Sequence, residues 1–112
     1  MLVRSVGLFW REDCVYWGAG NKAGALLGVP LGATTSEPSD FREQIGIYAL
    51  YAEYQLAYVG QAGVGNQTLF TRLKQHRKDD LVGRWNRFSW FGVRRILASG
   101  KLRVRPTPYI PV

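Results

Sequence analysis

The chain is poor in the residues that would settle its chemistry at a glance. It has one cysteine, Cys14, so it forms no internal disulfide, and no partners stand at zinc-ligand spacing. Cys14 is expected to be a small buried hydrophobe. No apolar run approaches the roughly 18 residues that a membrane-spanning helix needs. The N-terminal "MLVRSVGLFWRED" has only broken apolar stretches, too poor for a signal peptide. The expectation is therefore a soluble, cytoplasmic protein with no membrane partner. Repeats and low-complexity tracts are missing as well. The glycine-rich "GQAGVGNQ" (60–67) lacks the Gly-Lys-Ser/Thr ending of a phosphate loop. Carboxylates are missing from a long stretch, since every acidic residue lies at or before Asp80.

What is present points to one folded domain. At 112 residues, with a 46% hydrophobic fraction and four tryptophans, the chain can build a single modest core. Its net charge of +7 is unevenly placed. Residues 1–71 carry four basic against six acidic groups, whereas residues 72–112 carry eleven against two. Concentrated positive charge favours polyanions, and nucleic acid is the commonest of these. DNA is the expected partner; the oligomeric state is not set by the sequence.

Read in order, "VGLFW" and "CVYWG" look like an N-terminal β-hairpin around Arg11-Glu12-Asp13. Gly18 to Asp40 is dense in Gly, Pro, Ser and Thr and reads as loop, with "LLGVPLG" as a short extended piece inside it. Phe41–Gln44 reads as a single helical turn. Residues 1–43 thus form an extension, and residues 44–112 the core. The stretch "GIYALYAEYQLAYVG" (46–60) alternates with period two and predicts two strands turning near Glu53. An odd loop centred on Glu53 is expected, setting Tyr48 opposite Tyr58 with both rings on one face; a two-residue loop would send them to opposite faces. Thr68 is a natural N-cap for a helix reaching about Asp79, with Leu69, Phe70 and Leu73 as its apolar stripe. On that helix Arg72 and His76 are four apart and share a face. "RFSWFGVRRIL" (87–97) reads as a strand and "KLRVR" (101–105) as a further one. The proline-rich "PTPYIPV" is expected to be irregular. Trp85, Phe88, Trp90 and Phe91 are expected to fill the core or prop the sheet.

The pair Gly46-Ile47-Tyr48 and Tyr58-Val59-Gly60, with a helix and its arginine following, resembles the signature of the GIY-YIG endonuclease superfamily. The resemblance covers about Gln44 to Ile96. It implies an α/β (α+β) domain: a small antiparallel three-stranded sheet flanked by helices, here with the N-terminal hairpin as an extension. It implies a DNA endonuclease that hydrolyses phosphodiester bonds with one divalent metal, Mg2+ or Mn2+. Carried over, Tyr58 stands beside the attacking water, Tyr48 is its companion, and Arg72 faces the scissile phosphate. His76, four residues after the arginine, matches a restriction-enzyme branch of the family.

The residue types have chemical sense. A free phenol with a pKa of about 10 is a poor base at neutrality and needs an acceptor. A neutral imidazole suits that task, so His76 is expected to take the proton of Tyr58. Lys74, Arg77, Lys78, Arg94, Arg95, Lys101, Arg103 and Arg105 are the expected DNA contacts.

The departure from the family lies in the metal. Its usual glutamate, on a helix after the third strand, has no counterpart here, so the metal ligands are unassigned. Three explanations stand together: the chain is a piece of a longer nuclease, which is favoured; a partner subunit, or Glu53, Asp79 or Asp80, supplies the carboxylate; or the protein binds nucleic acid without cutting it.

Overall fold

The computed structural model describes residues 3–31, 38–94 and 107–111. Its strands are β1 (Ser5–Arg11), β2 (Tyr16–Ala19), β3 (Lys22–Ala25), β4 (Leu27–Pro30), β5 (Ser39–Asp40), β6 (Gly46–Ala52), β7 (Gln55–Ala62), β8 (Arg87–Gly92) and β9 (Thr107–Pro111). One α-helix, α1 (Leu69–His76), stands among them. Seven strands form a mixed sheet in the order β5-β4-β9-β1-β8-β6-β7, and β2-β3 form a second, two-stranded sheet.

This overturns the expected fold class. The antiparallel trio β8-β6-β7 exists, but as one end of a seven-stranded sheet, and among the described residues a single α-helix covers it. The cause is pairing between segments distant in sequence. β1 lies antiparallel to β8 and parallel to β9, so both its edges are taken and it forms no hairpin with β2. Instead a 3-10 turn at Glu12–Cys14 diverts the chain. β2 then pairs with β3, with Ala19 opposite Lys22 across a two-residue Gly20-Asn21 turn. Gly20 there has φ +60°, the backbone conformation such a turn requires.

The stretch expected to be loop thus contributes β3 and β5, and the extended piece expected within it is β4. Within the C-terminal "PTPYIPV", Thr107–Pro111 also forms a strand. Proline loses its N–H but keeps its carbonyl, and the Pro108 oxygen accepts from Leu31 N at 3.1 Å. The strand expected over residues 87–97 closes at Gly92. The expected strand at 101–105 lies outside the described residues.

The central hairpin behaves differently from expectation in one instructive respect. Its connection is a two-residue turn, Glu53-Tyr54, with Ala52 opposite Gln55 and Glu53 at φ +57°. On a regular ladder that turn would put Val59 opposite Tyr48 and send Tyr58 to the other face. A β-bulge intervenes: Tyr51 pairs with Leu56 and Leu50 with Tyr58, leaving Ala57 as the extra residue. Tyr48 therefore faces Gly60, and Tyr58, two positions away, shares its face.

That face is the inner one. Trp10, Leu26, Phe41, Tyr48, Leu50, Leu73, Phe88 and Trp90 form the buried centre, drawn from both the N-terminal stretch and the hairpin region. Trp85 is buried as expected, while Phe91 is 38% exposed on the opposite face. α1 is held over the inner face at its first turn. Thr68 Oγ1 accepts from Thr71 N at 3.3 Å. The N–H groups of Leu69 and Phe70, which lack partners within the helix, donate to the carbonyls of Gln44 (2.7 Å) and Arg42 (3.2 Å). The turn at 41–44 is thus a docking point for α1; Gln44 N closes it onto Phe41 O at 3.1 Å.

Gly46 opens the central strand at φ +143°, and a Cβ added there would lie 2.1 Å from the backbone oxygen of Phe91. Backbone strain and overpacking act together at this position. Gly46→Ala should destabilise the fold by about 2–5 kcal/mol. The test is the urea midpoint, which should fall with the transition slope unchanged.

Candidate active site

Tyr48 projects from the middle strand of the β8-β6-β7 trio toward α1 and is completely buried. Such burial leaves its hydroxyl dependent on partners, and α1 supplies two. His76 Nε2 lies 2.7 Å from Tyr48 Oη, and Arg72 Nε donates to the same oxygen at 3.2 Å. Arg72 and His76 share a helix face because they are one turn apart. Behind the imidazole, His76 Nδ1 lies 2.8 Å from Asp79 Oδ2. Trp85 Nε1 donates to the His76 carbonyl at 3.0 Å and fixes the end of the helix.

The protonation pattern follows from the donor inventory. A carboxylate only accepts, so in the neutral imidazole the proton stands on Nδ1 and Nε2 is bare. Tyr48 then donates its hydroxyl proton to Nε2 and accepts from Arg72 with a lone pair. Burial raises the Tyr48 pKa above the usual phenol value, and the Arg72 hydrogen bond and charge offset part of the rise. The Asp79 carboxyl is held below its ordinary range, first by the Leu81 N–H and then by the His76 hydrogen bond and charge. Leu81 N donates to its Oδ1 at 2.9 Å.

Gly60 explains the second glycine of the tyrosine-glycine pairs. A Cβ at Gly60 would lie 2.4 Å from both Cζ and Oη of Tyr48 and 2.8 Å from a ring carbon of Tyr58. The Tyr48 ring crosses the neighbouring strand where no side chain stands. Tyr58 is half-buried, its ring 6.3 Å from that of Tyr48 and 5.0 Å from the imidazole. All four expected residues, Tyr48, Tyr58, Arg72 and His76, thus come together. The pairing among them differs from expectation: His76 bonds Tyr48, and it touches Tyr58 through ring contact.

Sequence reading missed the supporting groups. Asp79 stands three residues after His76, a helical spacing that could have marked it. Arg72 Nη1 donates to Gln75 Oε1 at 2.8 Å, and Gln75 Nε2 donates to Gln67 Oε1 at 3.0 Å. The guanidinium is oriented from two sides, and its remaining N–H groups are available to an anion.

The expected DNA contacts divide. Lys78 and Arg94 are exposed, and Lys74 is half-buried with Nζ 5.5 Å above the Phe70 ring. Arg77 is exposed but engaged by the protein itself: Nε donates to Glu12 Oε1 at 3.0 Å, and the guanidinium lies 4.7 Å over the Trp17 ring. Arg95, Lys101, Arg103 and Arg105 lie outside the described residues. Cys14 is exposed rather than buried.

The implied divalent cation finds no fitting donor set among the described residues, where no three His, Cys, Asp or Glu side chains converge. Both Asp79 oxygens have protein donors. Glu53 sits at the hairpin turn and accepts from Asn86 Nδ2 at 2.8 Å. Among the described residues no helix is long and apolar enough to cross a membrane. The chain matches no protein-family model, no curated protein and no solved structure.

The two shifted groups predict opposite limbs of a stability–pH profile. Asp79, depressed in the folded state, contributes stability above the ordinary carboxyl value of about 3.9, lost as pH falls through its lower folded value. Tyr48, raised in the folded state, contributes stability below about pH 10, lost as pH rises toward its higher folded value. Denaturation midpoints across pH should show Asp79→Asn flattening the acid limb and Tyr48→Phe the alkaline one.

Proposed function

We propose that the chain is a DNA endonuclease of the GIY-YIG type, cutting phosphodiester bonds at the Tyr48–Tyr58–Arg72–His76 cluster. The observation that carries this reading is the Tyr48 hydroxyl held between His76 Nε2 and Arg72 Nε, with Tyr58 packed against the same imidazole. The residue types match the resemblance in kind and order along the chain, and the cluster draws them to one place.

Arg72 and Tyr58 are the groups that touch the phosphate in this reading. Water bonds to phosphorus and releases its proton to solvent, the bond to the leaving sugar oxygen breaks and that oxygen takes a proton from solvent, and Arg72 balances charge gathering on the non-bridging oxygens. Tyr58 carries the less buried phenol and orients the water. Tyr48, His76 and Asp79 are positioning residues: the buried hydroxyl, satisfied by the imidazole, fixes the guanidinium. His76 at rest already accepts from Tyr48, which argues against its taking the Tyr58 proton.

The absence of a converging carboxylate set among the described residues favours a second reading: the cluster binds a backbone phosphate without cutting it. Supercoiled plasmid incubated with magnesium, with manganese and with chelator separates the two. Metal-dependent nicking is the expected result, and salt-sensitive DNA retention without nicking would establish the second. Tyr58→Phe and Arg72→Gln should each lower nicking about 100-fold or more. His76→Gln, which can still accept from Tyr48 and donate to Asp79, should keep most of the activity that His76→Ala loses. Equal loss in both would assign the imidazole a proton-transfer role instead.

A further inference from the structure

A second surface lies around the helix from the tyrosine cluster. It is a cleft of about 370 Å³ between the solvent side of α1 and the β2–β3 hairpin, lined by Gly24, Arg42, Phe70, Lys74, Gln75 and Lys78 among others. We infer that this cleft carries the sugar-phosphate backbone of the DNA whose scissile phosphate sits at Arg72; the inference rests on the nuclease-type reading above.

Charge is the first support. Lys74 stands in the last turn of α1 and Lys78 just past its C-cap, so two like charges line the same cleft. Neither has a carboxylate within ion-pair distance among the described residues. The helix C-terminus favours cations there, but it does not account for Arg42, which comes to the same cleft from another segment. Asp40 Oδ2, 3.1 Å from Arg42 Nε, answers only one of the three positive charges.

Construction is the second support. The hairpin wall is bolted to the helix: Trp17 stacks on Phe70 at 5.5 Å and 19°, its Nε1 donates to Glu12 O at 2.9 Å, and the Arg77 guanidinium lies 4.7 Å over its ring. Gly24 allows the approach, since a Cβ there would stand 2.4 Å from Phe70 Cζ. Arg42 Nη1 donates to the Gly24 carbonyl at 3.2 Å, so the guanidinium is tied to the hairpin wall of the cleft. A pre-set wall binds a phosphate chain without ordering cost at the moment of contact.

Continuity is the third. Gln75 lines the cleft and also accepts from Arg72 Nη1, so the two surfaces meet at one side chain. A strand leaving Arg72 passes Gln75 and runs between Lys74, Lys78 and Arg42. This gives the β2–β3 hairpin, which lies outside the stretch carrying the family resemblance, a part in substrate binding.

The test is anisotropy of a fluorescein-labelled 20-base-pair DNA duplex titrated with the full chain across salt concentrations. The triple variant Arg42→Gln, Lys74→Gln, Lys78→Gln should bind at least 10-fold more weakly near 0.1 M salt. Its log K against log salt slope should be shallower by about 2–3, since each phosphate no longer neutralised removes about 0.9. Lys74→Gln with Lys78→Gln alone should show about two-thirds of that slope change and leaves Arg42 with its own partners. Arg84→Gln, exposed and outside the cleft, should match the parent chain. A triple variant with the affinity and slope of Arg84→Gln overturns the inference; if Arg72→Gln still weakens binding in that case, the phosphate site at the cluster stands without this track. A parent chain that does not bind the duplex overturns both.

Discussion

A buried phenol must have its hydroxyl satisfied, and the rest of the site is arranged around that requirement. Leaving the Tyr48 oxygen unpaired in the core would cost about 1–3 kcal/mol. It is paired twice, by residues one turn apart on a single helix face. This makes the ring a tie between the central strand and α1. Its tightness depends on Gly60, because any side chain there would occupy the volume of the Tyr48 ring tip. Glycine beside tyrosine is therefore a packing requirement at the second motif and a backbone requirement at the first, where Gly46 presses against the Phe91 carbonyl. Two similar-looking tripeptides serve two different physical ends.

Local features of the sequence were legible where the physics was local. The Thr68 cap, the apolar stripe of α1, the period-two strands and the sharing of a helix face by Arg72 and His76 all read directly from spacing. The common face of Tyr48 and Tyr58 also emerged, though by a different route. The connection is even, and the bulge at Ala57 restores the parity that an odd loop would have given. A bulge has no strong sequence signal, since Ala57 is ordinary strand material. What could not be read was strand pairing at long range. β1 closes on β8 across some eighty residues and on β9 across about a hundred. No periodicity within either segment states that partner. The Gly20-Asn21 turn was a readable signal for β2–β3, hidden inside a stretch whose composition spoke for loop.

Charge counting has a similar limit. The basic surplus after residue 71 is a property of the sequence, but its availability is a property of the fold. Arg77, read as a DNA contact, is consumed by Glu12 and Trp17 and holds the hairpin against α1. Arg87 lies over the Tyr54 ring at 4.7 Å and is half-buried. Lys74 and Lys78 keep their charge facing outward with no acid beside them among the described residues. The same residue type thus supports the scaffold at one position and presents a field at the next, and only the partner decides which.

The electrostatics of the cluster itself sharpen this division. Asp79 stays ionised, and the Arg72 charge is among the causes that keep it so. Arg72 and Asp79 are one cation and one anion on the same cluster, so their charges largely offset each other. A neutral site exerts little pull on a phosphate beyond a Debye length, about 8 Å at physiological salt. Close range is different, because the guanidinium offers directed donors that a phosphate oxygen can meet one by one. Attraction and recognition are therefore separated in space. In the proposed reading the cleft lysines, which have no acid beside them among the described residues, would draw a polyanion in, and Arg72, hydrogen-bonded to Tyr48 and Gln75, would engage one phosphate once it arrived. A site built with its charge balanced inside and its surplus outside binds a chain of phosphates far better than a single one, which is the preference a nucleic-acid substrate would demand.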